Sequence, residues 1–313
     1  MGKLILRRVL ISIPLLLIVS SIVFILQSLL PGDAATLVGG FEATPEQLEA
    51  IRRELGLNDP VWMQYLRWLG SAITGDLGSS YANGQPVVEI LNTRVTVSLS
   101  IILGATILAT ILGVVLGMLS SWGPAWVGRF VDGLSIFGLA VPSFWIGLVL
   151  VSIFAVTLRV LPATGYVQPG DNLGGWFASI LLPVIALSSH GITAIAKQTR
   201  EAMLDVGNRD FIRNLRANGI PERSVVLRHS LRSAGIPIVT ITGLLFVGSL
   251  TGAVVIEQIF GLPGLGSLAV TATSTLDIPV IQGVAVYFTL IVIAVNLITD
   301  LVYGWINPKV RTA

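Results

Sequence analysis

The sequence predicts an all-α, polytopic membrane protein with six transmembrane helices, and two observations support this prediction. Apolar residues make up 53% of the 313 residues and charged residues only 12%, with a mean hydropathy of +0.85. A soluble domain carries about 25% charged residues and needs them to cover its surface. Six stretches longer than the roughly 20 residues that a helix needs to cross the hydrocarbon core contain no Asp, Glu, Lys or Arg. Disordered and soluble classes are therefore excluded.

Each charge-free stretch is predicted to form one helix. The runs are too long and too uniformly apolar for barrel strands, which alternate, and a lipid-exposed backbone must satisfy its own hydrogen bonds. The six helices are placed at about 9–30, 97–121, 133–157, 176–197, 235–257 and 280–303. The basic N-terminus would also suit a signal peptide. An uncleaved first helix is favoured, because the apolar run exceeds a typical h-region and Leu30-Pro31-Gly32 is not a small-x-small cleavage site.

The distribution of basic residues predicts the orientation. Lys and Arg accumulate in the loops on the cytoplasmic side of a membrane. Three segments that fall on one side after six crossings hold most of them: the N-terminus, the connection at about 198–232 with its flanking Lys197, and the tail with Lys309 and Arg311. The first connection on the other side, about 31–95, is mainly acidic. Both termini and the 198–232 loop are therefore predicted to be cytoplasmic.

The outer connection is predicted to be folded. Thr44 and Gln47 form a capping box with Pro45 at the first helical position, and Gly56 can end that helix in a left-handed conformation. A second helix is expected to begin near Asn58-Asp59-Pro60. Two interpretations remain open: a cap that rests on the bilayer, and a docking surface for an external partner. We predict two parts: residues 1–95, with the first transmembrane helix and this segment, and residues 96–313, a five-helix permease domain.

The inner connection is the most informative part of the chain. Gly207 and Asn208 end the fourth helix, and a short helix then runs from Asp210 to about Asn218, with Phe211, Ile212 and Leu215 on one side. Gly219 stops that helix, and Pro221-Glu222 starts another. One interpretation is an amphipathic helix lying on anionic lipid, and the other is a knob that fits a groove on a cytoplasmic partner.

Several stretches carry a family resemblance in the same order along the chain. They are Arg7-Arg8, Leu29–Asp33, Glu54–Leu57, Gln64–Leu66, Gly75–Ser80, Val141–Trp145, Asp210–Gly219, Arg228–Arg232, Glu257–Gly266 and Asn307–Arg311. The chain resembles the permease subunits of ATP-binding-cassette importers and, more narrowly, the dipeptide/oligopeptide/nickel permease family. Arg213-Asn214-Leu215 stands where the wider superfamily has Glu-Ala-Ala.

The resemblance implies the fold and function of a type I ABC importer permease. It implies one half of a translocation pathway for small peptides, with nickel or another small solute as the alternative. The implied partners are a second, homologous permease in a heterodimer, two ATP-binding subunits, an extracytoplasmic solute-binding protein and the lipid bilayer. No cofactor is expected on this chain, since ATP and Mg would be used by the ATPase subunits. The implied location is a prokaryotic cytoplasmic (inner) membrane.

The same resemblance assigns two candidate sites. The coupling loop, which would contact the ATPase, comprises Asp210, Phe211, Ile212, Arg213, Asn214, Leu215, Arg216, Ala217, Asn218 and Gly219. The candidate pathway or gating residues are Pro142, Ser143, Trp145, Gly248 and Gly252. Gly248 and Gly252 would also suit close helix packing, and Pro142 would also suit a static kink.

Other functions find little support in the sequence. No lysine lies in a Walker A pattern, there are no cysteines, and no catalytic or metal-binding set presents itself, so the chain is predicted not to be an enzyme. The net charge of +2 is too small to indicate nucleic acid. A secondary transporter, the less favoured alternative, would place ionisable groups at the midplane. Instead, Glu257, Asp277 and Asp300 are expected at helix ends within reach of water, and His190 is expected to be packed and structural.

Overall fold

The computed structural model describes residues 2–29, 34–40 and 42–306, which form helices and loops with one isolated antiparallel bridge between Ser79 and Pro86. Two stretches that carry the family resemblance, Leu30–Asp33 and Asn307–Arg311, lie outside the described residues. The helices are α1 Gly2–Ser28, α2 Ala34–Gly39, α3 Pro45–Glu54, α4 Val61–Ile73, α5 Val87–Trp122, α6 Ala125–Ala140, α7 Ser143–Thr157, α8 Leu173–Gly207, α9 Asp210–Ala217, α10 Glu222–Ile259, α11 Leu265–Thr275 and α12 Ile278–Ile306.

Five of the described helices are long and apolar enough to cross a membrane: α1, α5, α8, α10 and α12. They coincide with five of the six predicted spans and extend beyond most of them. α8 and α10 have 35 and 38 residues, so each is longer than the hydrocarbon thickness of about 30 Å. The all-α prediction is confirmed. The number of crossings and the side on which the termini lie remain predictions.

The third predicted span, 133–157, is not one continuous helix. α6 ends at Ala140, and Pro142 begins the next helix with an extended backbone (φ −62°, ψ 139°). Proline has no N–H to donate and disfavours the helical conformation of the residue before it, which favours an end to the helix at this point, although α8 and α10 continue through Pro183 and Pro237. The following apolar helix, α7, has 15 residues, which is roughly 22 Å, and its last seven residues form a π-helical turn.

The chain divides into two compact units. One comprises, among the described residues, 2–4, Leu99–Leu262 and 294–306, and in it α8 packs against α6, α7 and α10. α5 also approaches α8 closely at two glycines. A Cβ added at Gly113 would lie 2.7 Å from Cβ of Ile195, and one at Gly117 would lie 2.5 Å from Cβ of Thr199. This Gly-x-x-x-Gly pair allows the two backbones to pack with no side chain between them.

The other unit comprises Ile5–Ser98 and Pro263–Ile293. Its apolar core joins the start of α5, through Val87 and Leu91, to Leu265 in α11 and to Val280 and Val284 in α12. The predicted capping box of α3 is present: the Thr44 N–H donates to Oε1 of Gln47 (2.8 Å), and the Gln47 N–H donates to Oγ1 of Thr44 (3.3 Å). Gly56 follows α3 with φ +66°, as predicted.

A buried carboxylate joins distant parts of this second unit. Asp277, between α11 and α12, is 3% exposed and accepts hydrogen bonds from Oγ of Ser80 (2.5 Å) and from the backbone N–H of Tyr81 (3.0 Å) and Ala82 (3.4 Å). Burial and the nearby Asp277 carboxylate raise the pKa of Tyr81. We call these four residues the Asp277 clasp. The expectation that Asp277 and Glu257 are reached by water is wrong, because Glu257 is fully buried as well.

Candidate functional site: the inner segment and a pocket between α7, α8 and α10

The segment from Gly207 to Ser230, here called the inner segment, contains the short helix that the sequence predicts. α8 ends at Gly207, and α9 is eight residues long, from Asp210 to Ala217. An α-helix of that length is roughly 12 Å long. The inner segment ends in a π-helical turn, Val225–Ser230, from which α10 continues. A short helix is thus held between two helices of membrane-spanning length.

Ile212 anchors α9 to the rest of its unit. Its side chain is fully buried in a cluster with Met203 and Val206 of α8 and with Val225 at the start of α10. Leu215, one turn along α9, is partly buried against the same cluster. The apolar side of the amphipathic helix is therefore turned toward the chain itself.

Glycine at position 219 ends α9 as predicted. Its φ is +74°, in the left-handed region that favours glycine. The reversal lets the Ile220 N–H donate to the carbonyl of Leu215 (3.1 Å), and it lets the Gly219 N–H donate to the carbonyl of Arg216 (3.0 Å). These bonds satisfy carbonyls that would otherwise be left open at the helix end, and Ile220 returns to the apolar cluster.

A charged cluster fixes the far end of α9. Arg216 donates two hydrogen bonds to the carboxylate of Glu222, from Nη2 (2.7 Å) and Nε (3.1 Å). Trp122, the last residue of α5, donates from Nε1 to the same carboxylate (2.7 Å). The bonds to Glu222 raise the pKa of Arg216. Glu222 therefore connects α9, the start of α10 and the end of α5.

The outward side of α9 differs from the sequence expectation. Phe211 is 40% exposed, whereas Ile212, predicted to lie beside it on a contact face, is buried and has no surface to offer a partner. The exposed members of the predicted coupling loop are Asp210, Phe211, Arg213, Asn214, Arg216, Ala217, Asn218 and Gly219. The surface presented by α9 is thus mixed, with one large apolar side chain among polar ones.

A second candidate site is a pocket of about 240 Å³ between α7, α8 and α10. Residues that line it include Ser143, Leu187, His190, Leu244, Gly248 and Gly252. Three of the five candidate pathway residues therefore meet in one place. Pro142 and Trp145 do not line this pocket: Pro142 immediately precedes α7, and Trp145 is 52% exposed.

His190 is a lining residue that the sequence interpretation set aside as structural. Its side chain is exposed, so the expectation of a packed histidine is wrong. Among the described residues, no group of three or more His, Asp or Glu side chains could hold a metal ion. The pocket therefore offers hydroxyl and imidazole groups on a largely apolar wall.

Comparison with known proteins decides the family. Residues 109–312 match the model of the binding-protein-dependent transport system inner membrane component, and residues 1–102 match the N-terminal model of the same kind of membrane component. The chain belongs to this family. It is the permease subunit of an ATP-binding-cassette importer, a multi-pass inner-membrane protein that has no ATPase site of its own and works with other transporter subunits.

Curated relatives match the permease over almost their whole length. A protein of Brucella abortus (strain 2308), named for the permease of a peptide transport system, is 39% identical over 99% of both chains. The oligopeptide transport system permease protein AppB of Bacillus subtilis (strain 168) is 36% identical, covering 99% of this chain and 100% of AppB. The glutathione transport system permease protein GsiC of Escherichia coli O6:H1 is also 36% identical, over 98% of both.

A solved structure shares the fold. A chain of the MetNI methionine ABC transporter, determined in inward-facing conformations, superimposes with a TM-score of 0.56 at 13% identity. The match covers 70% of the permease and 97% of that chain. At this identity the similarity establishes the ABC importer permease fold and no more.

Proposed function

We propose that this permease imports short peptides and forms one half of the pathway together with a second, homologous permease in a heterodimer. An extracytoplasmic binding protein would deliver the peptide, and two cytoplasmic subunits would use ATP and Mg. The names of the curated relatives, which refer to peptide, oligopeptide and glutathione transport, support peptide cargo. Nickel or another small solute is the alternative cargo.

The observation that supports coupling most directly is the construction of the inner segment. α9 is anchored on one side by Ile212 and ends at the reversal at Gly219, so its polar side with Phe211 is left uncovered. An exposed aromatic side chain among polar groups is typical of residues that dominate protein–protein contacts. We infer that this side of α9 docks on an ATP-binding subunit.

The charges of α9 argue against the competing interpretation, a helix lying on anionic lipid. That interpretation depends on the basic residues of the helix, Arg213 and Arg216. Arg216 is bonded to Glu222, and Arg213 lies 3.6 Å from the carboxylate of Asp210. Both positive charges therefore have a carboxylate partner within the chain, which weakens their attraction to a lipid surface.

Replacement of Phe211 by Ala tests the docking. The exposed ring contributes little to the fold, but its loss from a desolvated contact should weaken ATPase attachment at least tenfold, or about 1.4 kcal/mol. Leu204→Ala is the matched control, because Leu204 is 44% exposed on α8 outside α9. The measurement is co-purification of the ATP-binding subunits with each variant. Equal attachment in Phe211→Ala and Leu204→Ala would refute docking through this face.

Single cysteines test the orientation in a chain that has none of its own. Ala50, Gly170 and Asn218 are all exposed, so each can report the side on which it lies. An impermeant thiol reagent added to intact cells should label cysteines at 50 and 170. It should label a cysteine at 218 only after permeabilisation. Labelling of position 218 in intact cells would show that the predicted orientation is wrong.

The cargo is tested with the complete transporter in proteoliposomes. Accumulation of a radiolabelled tripeptide pool that requires both ATP and the binding protein would support peptide import. Accumulation of Ni²⁺ under the same conditions, with no uptake of peptide, would support the alternative.

A further inference from the structure

We propose that His190 contacts the transported peptide directly, through hydrogen bonds to its main-chain amides, and that Gly248 keeps open the space in which the peptide lies. This inference rests on the proposed function, since it assigns a contact to the pathway of a peptide permease. It starts from the pocket between α7, α8 and α10.

The position of His190 calls for an explanation. It lies at least seven residues, roughly 10 Å, from either end of the predicted span 176–197, yet its side chain is exposed on the surface of its unit. Polar side chains at such depth seldom face lipid, and they line water-filled cavities or meet partners instead. The face of α8 that carries His190 therefore borders a polar route or another subunit.

The glycines of α10 distinguish packing from reserved space. A Cβ added at Gly243 would lie 2.9 Å from Oγ1 of Thr299, and one at Gly252 would lie 3.0 Å from Cδ1 of Leu187. These two positions are small because neighbouring helices of the same chain approach them. Gly248 is different, since an added Cβ would have nothing within 4 Å.

Glycine at an open helical position has a cost and no local benefit. It is less favourable than alanine in a helix interior because its backbone loses more conformational freedom on folding. No neighbour within the chain needs the space at Gly248 or at Gly133 in α6, but of these two only Gly248 lines a pocket. The opening and His190 line the same pocket, so one occupant can meet both.

The chemistry of the lining fits a peptide backbone. A neutral imidazole has one donor and one acceptor, which match the N–H and C=O groups of a peptide irrespective of its sequence. The pocket, at about 240 Å³, is smaller than a typical small-molecule site of about 300–1,000 Å³. It can hold part of a peptide, and the second permease would supply the remaining wall.

Filling the opening is the first test, with the complete transporter in proteoliposomes and a radiolabelled tripeptide pool. Gly248→Leu should lower peptide uptake at least tenfold. Gly133→Leu is the matched control, because Gly133 lies in α6, lines no part of this pocket and would also meet nothing within 4 Å of an added Cβ. Membrane abundance of both variants is measured alongside, and Gly248→Ala provides a smaller filling if the leucine variant inserts poorly.

Substitution at His190 tests the hydrogen bonds. His190→Ala should lower uptake about tenfold, whereas His190→Gln, which keeps one donor and one acceptor group, should retain at least half of the wild-type rate. A benzophenone side chain placed at position 190 should also cross-link to the tripeptide during turnover, and one placed at Gly133 should not. A purely structural histidine would give no peptide cross-link.

The outcomes separate this inference from the proposed function. Normal peptide uptake by wild type together with normal uptake by Gly248→Leu and His190→Ala would overturn the inference and leave peptide import standing. Cross-linking of position 190 to the second permease alone would identify a dry subunit interface, and it would also overturn the inference. Absence of peptide uptake by the wild-type transporter would refute the proposed function, and the inference with it.

Discussion

The inner segment and the Asp277 clasp each hold a short connection against longer helices, and they do so through different interactions. The clasp uses a carboxylate that is 3% exposed and takes three hydrogen bonds from Ser80, Tyr81 and Ala82. The inner segment uses one buried apolar anchor, Ile212, and a carboxylate–guanidinium pair whose side chains, Glu222 and Arg216, are 50% and 42% exposed.

The difference predicts how firmly each connection is held. Loss of the Asp277 carboxylate would leave the buried Ser80 hydroxyl without its acceptor, which costs more than loss of an exposed ion pair. The clasp is therefore a rigid joint. The inner segment combines the buried Ile212 anchor with an exposed ion pair that water and salt can replace, so its charged end is held less firmly than the clasp.

The largest expected effect is loss of the clasp. Asp277→Ala leaves the buried Ser80 hydroxyl and the Tyr81 N–H without their acceptor, whereas the exposed Ala82 N–H keeps Oγ of Ser80 (3.2 Å), so the surrounding unit should be destabilised by about 2 kcal/mol. The measurement is the apparent melting temperature of the detergent-purified permease, expected to fall by several degrees. Asp76→Ala is the control, because Asp76 is exposed and accepts one bond, from the Gly78 N–H (2.8 Å). Equal melting temperatures for the two variants would contradict the rigid joint.

A smaller effect is expected at the reversal that ends α9. Gly219→Ala meets no neighbour, so its cost is that of a left-handed backbone, about 1 kcal/mol. Amide hydrogen exchange of α9 should then be about fivefold faster. Gly207→Ala is the matched control, because Gly207 also has open space but has no positive φ. Unchanged exchange in Gly219→Ala would show that the reversal does not limit the stability of α9.

The smallest effect is expected at the exposed ion pair. Glu222→Gln removes the negative charge of the carboxylate to which Arg216 and Trp122 both donate. Exposed ion pairs contribute about 0.2–1 kcal/mol to the free energy of unfolding. Exchange of α9 should rise less than in Gly219→Ala, and the difference from wild type should shrink at high salt because salt screens exposed charges. Asp205→Asn, which breaks the exposed pair with Arg209, controls for lost charge. If Glu222→Gln accelerated the exchange of α9 more than Gly219→Ala does, the charged cluster would contribute more to the stability of α9 than the backbone reversal at Gly219.

Signals that act over a few residues were predicted correctly from the sequence. The capping box of Thr44 and Gln47, the positive φ of Gly56 and Gly219, and the end of α8 at Gly207 all depend on neighbours within one helical turn. The long apolar spans were predictable for the same reason, since the bilayer imposes length and composition on each helix separately.

Contacts between distant residues could not be predicted in this way. Asp277 reaches donors 195–197 residues away, and no local pattern marks it as buried. The exposure of His190 cannot be predicted from the sequence, because the opening beside it depends on which face of α10 lies opposite. Within α9, Phe211, Ile212 and Leu215 share one arc of the helix, and only the neighbours of the helix decide that Ile212 is the anchor and Phe211 is left exposed. The Gly-x-x-x-Gly pair at 113 and 117 is a sequence signal from which the close approach of α5 to α8 could be predicted.

The clasp also sets an order for the assembly of its unit. Ser80 is 197 residues from Asp277, and the backbone carbonyl of Ser20 in α1, which accepts a bond from Gln282 (2.9 Å), is 262 residues from that partner. At translation rates of about 5–20 residues per second, Ser80 is made roughly 10–40 s before Asp277, whose carboxylate accepts its hydrogen bond. During that interval the Ser80 hydroxyl and the Ser20 carbonyl must remain without these two partners. These two contacts of the first third of the chain therefore form only when the last third has been made.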